Sequence, residues 1–170
     1  GRSSPVDSGP MTLRAATEGA PGDLVWEWTF ELPAPPERVW PLVSDTQRIN
    51  RAIGLPSWRF VETPDPLGGS RRTGSFLFMG KTIEWEEHPY EWVAPREMGV
   101  ERLYTRGPLR ALRSHVRLEP SAGGTRLVHR IAVTPKGIAG GMIARLEIGR
   151  NARAGFTRVY GQIARHVGGL

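Results

Sequence analysis

The hydrophobic period of this chain changes once, at Pro135-Lys136-Gly137, and that change limits the folds open to it. Upstream, apolar and polar residues alternate in short runs separated by Gly and Pro, the period of half-buried strands. Downstream, Ile138, Met142, Leu146, Gly149, Arg153, Phe156, Tyr160, Ile163 and Val167 recur at three- and four-residue spacing, the period of one helical face. A helix of about thirty residues at ~1.5 Å rise is roughly 45 Å long. Strands joined by tight turns make an antiparallel meander, and a single long helix can bury its stripe by lying across the hollow face. The expected class is therefore α+β, a curved antiparallel sheet of about seven strands wrapped around a long C-terminal helix.

The individual runs can be placed. Trp26, Trp28, Phe30 and Leu32 alternate with Glu27, Thr29 and Glu31, so Leu24 to Leu32 is the first strand, stopped by Pro33, Pro35 and Pro36. Pro36 suits the first turn of a helix with Val39, Trp40, Leu42 and Val43 on its apolar face. Asp45 or Thr46 can cap a second short helix through Ile49, Ala52 and Ile53, ended by Gly54 and Pro56. Strands are then predicted over Trp58–Thr63, Gly74–Met79, Lys81–Glu87, Met98–Thr105, Leu109–Glu119 and Thr125–Thr134, with a hairpin pivoting at Gly80. Residues 1–10 are small, polar and rich in Pro and Gly, and 12–23 carry little pattern. Residues 1–23 are set aside as a tag remnant or disordered leader, and 24–170 form one domain.

Composition narrows function by exclusion. With no Cys, the chain has no disulfide, no thiolate metal site and no Cys nucleophile. No apolar run approaches the ~20 residues of a membrane span, and no signal peptide opens the chain, so the expected location is cytoplasmic. The formal charge of +6 comes mostly from Arg spread through every segment, which argues against a nucleic-acid footprint. Elbow, P-loop, H-E-x-x-H and dinucleotide motifs are missing, and no cofactor is expected. Trp85-Glu86-Glu87-His88 is not read as a metal site, because adjacent carboxylates on a strand face opposite ways. Glu84 and Glu86 are expected to pair with Arg on a neighbouring strand.

Six Trp, five Phe and three Tyr stand out against a hydrophobic fraction of 39%. Strand parity sends Trp26, Trp28, Trp58, Phe76, Phe78 and Trp85 inward, with Arg102 and Tyr104 sharing one parity and His129 set among Leu127, Ile131 and Val133. Met142, Leu146, Phe156 and Tyr160 are the expected helical wall. So many rings make either a packed interior or an apolar pocket with a few polar points. His129 is either a satisfied core histidine or a hydrogen-bond partner for a ligand carbonyl or hydroxyl. Arg102 can hold an anionic head group or pair across the sheet. The face of Arg113, His115 and Arg117 is open between solvent and interior. Arg145, Arg150, Arg158 and Arg165 give the last helix a basic side, read as solvated.

Pro36-Glu37-Arg38-Val39-Trp40-Pro41-Leu42-Val43-Ser44-Asp45, followed by six strands and the long helix, resembles the START/Bet v 1-like helix-grip superfamily (SRPBCC), including its polyketide cyclase/dehydrase-like and lipid-transport branch. Four stretches carry a narrower likeness: Val43 to Pro56, Trp85 to Val93, Tyr104 to Leu109, and Ala144 to Gly149. These are similar to helix-grip domains placed before the catalytic domain of bacterial adenylate/guanylate cyclases. The resemblance implies a small hydrophobic or aromatic ligand, held in a regulatory or sensory domain without catalysis of its own, with a C-terminal nucleotidyl cyclase domain on the parent chain as partner. Two other readings stay open: a cyclase or dehydratase acting on a polyketide-like precursor through His129, Arg102 or Tyr104, and an interaction module with a filled core.

Overall fold

The computed structural model describes residues 22–53, 59–64, 66, 68 and 70–169. Strand β1 (Leu24–Leu32) is followed by helices α1 (Pro36–Val43) and α2 (Thr46–Ala52). Six more strands come next: β2 (Arg59–Pro64), β3 (Ser70–Phe78), β4 (Lys81–Val93), β5 (Glu97–Arg106), β6 (Leu109–Ser121) and β7 (Gly124–Pro135). The chain ends in an unbroken helical stretch of α3 (Gly137–Ala144), a π-helical segment (Arg145–Ala152) and α4 (Arg153–Val167). The seven strands form one antiparallel sheet in the order β1-β7-β6-β5-β4-β3-β2. This is the α+β architecture expected from the change of period.

Local chemistry explains the joints. Pro36 opens α1, where its missing N–H costs nothing, and Pro36, Val39 and Val43 are buried. Asp45 caps α2 by accepting from the Arg48 N–H at 3.0 Å. Met79 and Gly80 both take positive φ (50° and 76°), the backbone of a two-residue turn whose twist matches the strands it joins. Strands β3 and β4 exceed their predicted lengths. Arg71, Arg72 and Thr73, like His88, Pro89, Trp92 and Val93, extend these strands with exposed or partly exposed side chains that carry no alternation signal.

The interior is uneven. Leu127, Ile131 and Val133 of β7 pack with Leu112, Val116 and Leu118 of β6 and with Phe156, Val159, Tyr160 and Ile163 of α4. The edge strand β2 is almost wholly exposed. Helix α4 packs on β1, α1 and α2, so the sheet is well covered at its β1 side.

The helical wall differs from the sequence expectation in its first half. Ile138, Met142 and Leu146 are 87%, 65% and 51% exposed, whereas Gly140, Ala144 and Ile148 are buried. The cause is the π-helical segment. Hydrogen bonds from i to i+5 widen the turn, each residue rotates the chain by less, and a stripe traced at α spacing slides off the buried face. The inward line is instead Gly140, Ala144, Ile148, Ala152, Phe156 and Tyr160, spaced at four residues throughout. Two glycines on this helix answer to close approach. A Cβ on Gly155 would sit 2.8 Å from the Cβ of Ile53, and one on Gly140 would strike the Pro108 carbonyl.

Candidate functional site

A cavity of about 360 Å³ lies between the concave sheet and the helical stretch, within the ~300–1,000 Å³ range of small-molecule pockets. Phe76, Phe78, Ile83, Met98, Val100 and Leu112 form much of its sheet wall, and Ile143, Ala144, Ile148 and Phe156 close it from the helix. Ile49, Asn50 and Ile53 of the α2 region and Pro108 of the β5–β6 turn complete the rim. The interior is therefore an apolar pocket, not a filled core.

Two polar clusters reach this space. The first centres on His129, 3% exposed on β7. Ser114 Oγ lies 2.9 Å from Nε2 and Tyr160 Oη 3.0 Å from Nδ1. A neutral imidazole has one N–H donor and one acceptor, so either tautomer is satisfied by the two hydroxyls. The hydroxyl that accepts from the ring keeps its own proton available to the cavity, which both Ser114 and Tyr160 line. Phe156 lies 4.3 Å from the imidazole centroid, and Trp28 packs edge-on at 6.0 Å. Burial lowers the His129 pKa to about 3, with the nearby His115 adding a smaller repulsion. Burial also raises the Tyr160 phenol. The cluster is thus neutral at pH 7.

The second cluster is charged. Arg102 and Tyr104 of β5 and Glu87 of β4 all line the cavity. Arg102 Nη2 lies 3.6 Å from Glu87 Oε1, and Arg72 Nε of β3 lies 3.8 Å from Glu87 Oε2. The Arg102 guanidinium also stands 5.2 Å from the Trp85 ring centroid, and Tyr104 lines the cavity beside it on the same strand. Desolvation raises the Tyr104 pKa, with Arg102 opposing it and Glu87 reinforcing it.

The sequence-predicted residues divide by position. Phe76, Phe78, Arg102, Tyr104, His129, Phe156 and Tyr160 line the cavity. Trp85 is completely buried just behind it, between Phe60, Phe76 and Tyr104, and its indole occupies the space that any side chain on Gly74 would need. Trp26 and Trp28 lie at the packed end, Trp26 against Gly149 and Trp28 against Phe156. Met142 points away from the cavity, for the helical reason given above. Trp58 lies outside the described residues.

Arg113, His115 and Arg117 fall on the outer face, where Arg113 pairs with Glu101, His115 with Glu97 and Arg117 with Glu119. Glu86 likewise pairs outward with Arg71, as expected for a strand carboxylate beside a neighbouring Arg. Sequence reasoning missed Ser114 and Glu87. Ser114 shares the inward parity of Leu112 and Val116, and Glu87 that of Ile83 and Trp85; in both cases a charged neighbour of opposite parity masks the signal.

Residues 24–167 match the family model described as polyketide cyclase / dehydrase and lipid transport. The chain belongs to this family. Solved structures of the same fold include the Zhui aromatase/cyclase from Streptomyces sp. R1128, at 17% identity and TM-score 0.62, covering 85% of this chain and 96% of that one. A second is TTHA0849 from Thermus thermophilus, at 21% identity and TM-score 0.55, with 85% and 96% coverage. A third is the di-domain aromatase/cyclase StfQ from the steffimycin biosynthetic pathway, at 13% identity and TM-score 0.62, covering 87% of this chain and 52% of that one. At these identities the likeness is one of fold. No curated protein matches in sequence. Within the polyketide cyclase / dehydrase and lipid transport family, this chain has a cavity with one neutral and one charged polar cluster, and among the described residues no helix is long and apolar enough to cross a membrane.

Proposed function

We propose that this domain binds a small, mainly apolar ligand in the cavity beneath the C-terminal helix. The carrying observation is the 360 Å³ space itself, walled by aliphatic and aromatic side chains and given orientation by two separated polar clusters. Apolar burial at ~25 cal/mol per Å² supplies the driving force, and the hydroxyls and Arg102 supply orientation. His129 does not serve as a base in this reading, because both ring nitrogens are engaged and its conjugate acid forms only near pH 3.

A regulatory role is the finer part of the proposal. The four stretches similar to cyclase-associated domains each send residues to the same cavity: Val43 and Ile49, Glu87, Tyr104 and Leu109, and Ala144 and Ile148. Such convergence supports a ligand site coupled to a nucleotidyl cyclase domain on the parent chain, provided the ligand prefers one arrangement of α2 and the π-helical segment. The test is a ligand series of acyl chains and fused-ring aromatics, followed by native mass spectrometry and Trp fluorescence, on the wild type and on Ile143→Trp. Wild-type binding, weakened at least tenfold by the cavity-filling variant at unchanged Tm, is the expected result. Equal binding by both proteins, or none by either, refutes the proposal.

One observation favours a second reading, a cyclase or dehydratase. Tyr104 and Arg102 stand on the same face of β5 at the cavity wall, so a phenol beside a guanidinium faces any carbonyl bound there. In that reading Tyr104 donates to the carbonyl oxygen of a β-hydroxy ketone while the Glu87 carboxylate takes the α-proton to give the enol. The enol O–H proton then returns to Tyr104 as the C–O bond to the β-hydroxyl breaks, and the departing hydroxide takes the α-proton from Glu87 to leave as water. Loss of water from such a substrate, followed by ultraviolet absorbance and abolished in Tyr104→Phe, supports it; turnover unaffected by that change removes it.

A further inference from the structure

The His129 cluster holds one more polar hydrogen than its hydrogen bonds use, and this narrows the ligand class, an inference that rests on the binding role just proposed. The hydrogens are those of the Ser114 hydroxyl, the Tyr160 phenol and the single N–H of a neutral imidazole. Two contacts consume two of them, Ser114 Oγ with Nε2 at 2.9 Å and Tyr160 Oη with Nδ1 at 3.0 Å. Among the described residues, neither hydroxyl has a second hydrogen-bond partner.

Burial decides which hydroxyl keeps the spare proton. Tyr160 borders the cavity but is only 2% exposed, and a phenol sealed there without donating would forfeit the hydration of its O–H. Tyr160 therefore donates to Nδ1, Nε2 carries the ring proton, and the ring donates to Ser114 Oγ. Ser114 is only partly buried, and it lines the cavity with Leu112 and Val116 on the concave face of β6. The hydrogen bonds run in one direction, from Tyr160 to His129 to Ser114, and each polarises the next. Among the described residues, the charged side chains of the lining are Arg102, set 3.6 Å from Glu87, and Glu147. An anionic head group meets no positive excess there, and an ion of either sign would leave water for an apolar space.

We infer that Ser114 determines specificity as the cavity's neutral donor, and that the ligand meets it with an uncharged acceptor, a carbonyl or ether oxygen on an apolar body. A pure hydrocarbon would leave the Ser114 proton unpaired.

The experiment compares 2-acetonaphthone with 2-isopropenylnaphthalene, which has nearly the same shape with a methylene in place of the oxygen, by isothermal titration calorimetry at pH 7. The ratio of the two affinities is read, because the hydration lost by the carbonyl is common to every variant. Ser114→Ala should lower the ketone-to-alkene ratio about five- to tenfold and leave the alkene affinity within about threefold. Ser114→Thr keeps the hydroxyl and should hold the wild-type ratio. Nitrogen NMR of the isotopically labelled wild type, without ligand, reads the His129 tautomer and should find the proton on Nε2. An unchanged ratio in Ser114→Ala, or a proton on Nδ1, overturns this inference and leaves the cavity proposal standing. A wild type that binds neither probe overturns both. Should Ser114→Ala fail to fold, the tautomer decides alone.

Discussion

His129 and Arg102 stand on the two strands that flank β6, and the protein settles their polarity in opposite ways. His129 is sealed between β7 and α4, neutral, with one hydroxyl on each ring nitrogen. Arg102 sits on β5 facing the cavity, charged, beside the buried carboxylate of Glu87. The surroundings differ in the same sense. Around His129, Leu127, Val133 and Tyr160 are fully or almost fully buried, whereas toward β2 and β3 more of the side chains meet solvent. One side of the cavity is thus built from closely packed rings around a neutral cluster, and the other keeps an ion pair at a looser wall. Close packing rewards complementarity with stability, and an open cavity forgoes part of it.

The sharpest way to break that comparison is to truncate one ring at each end. Phe156→Ala removes a buried ring packed among His129, Trp28 and Tyr160, and a loss of about 3–5 kcal/mol is expected from urea unfolding. Phe78→Ala trims a partly exposed cavity wall and should cost about 1 kcal/mol or less. Similar losses at both positions would mean that the two ends are equally packed.

The pH dependence of stability tests the neutral cluster. Folding lowers the His129 pKa to about 3, from an ordinary value near 6.5. Below pH 6.5 the unfolded chain takes up a proton that the native chain refuses, so the stability contributed by keeping His129 neutral is complete above pH 6.5. It is lost as pH falls toward 3, by at most about 1.4 kcal/mol per pH unit. Urea midpoints at pH 7 and pH 5 should differ more in the wild type than in His129→Gln. Equal slopes in the two proteins would show that His129 is protonated in the native state.

A third probe lies behind the cavity. A Cβ at Gly74 would collide with the Trp85 indole, so Gly74→Ala should displace that ring and cost about 1–3 kcal/mol. Because Trp85 supports Arg102, the same change should shift Trp fluorescence and weaken ligand binding together. A stable variant with unaltered fluorescence would mean that β3 yields without disturbing the ring.

The fold was legible because its evidence is periodic. Alternation in Leu24–Leu32 and Thr125–Thr134 set two strands that do pair with each other, and the change at Pro135 marked the helix. The site was legible only in part. Parity could place Arg102 and Tyr104 on one face of β5, but it could not reveal that Ser114 and Tyr160 would meet at His129, since they come from different elements. Nor does parity say whether rings of the same orientation fill a space or border one. Phe78 and Trp85 have equivalent signals, yet one lines the cavity and the other lies wholly buried behind it.

The smallest effect tests the correction along the helix. Had the stretch from Gly137 been α-helical throughout, Met142 and Leu146 would share a face with Phe156, and a polar substitution at either would disturb the core. With the π-helical segment between them, Met142 projects to solvent, so Met142→Gln should change stability by no more than about 0.5 kcal/mol. Ala144→Gln, two positions later, places a polar amide on the buried line and should cost several times as much while reducing ligand affinity. The two substitutions introduce the same side chain, so propensity and charge differ little between them. If Met142→Gln were the more damaging of the pair, the buried line would follow the α-helical stripe, and the wall now assigned to Ala144 and Ile148 would have to turn outward.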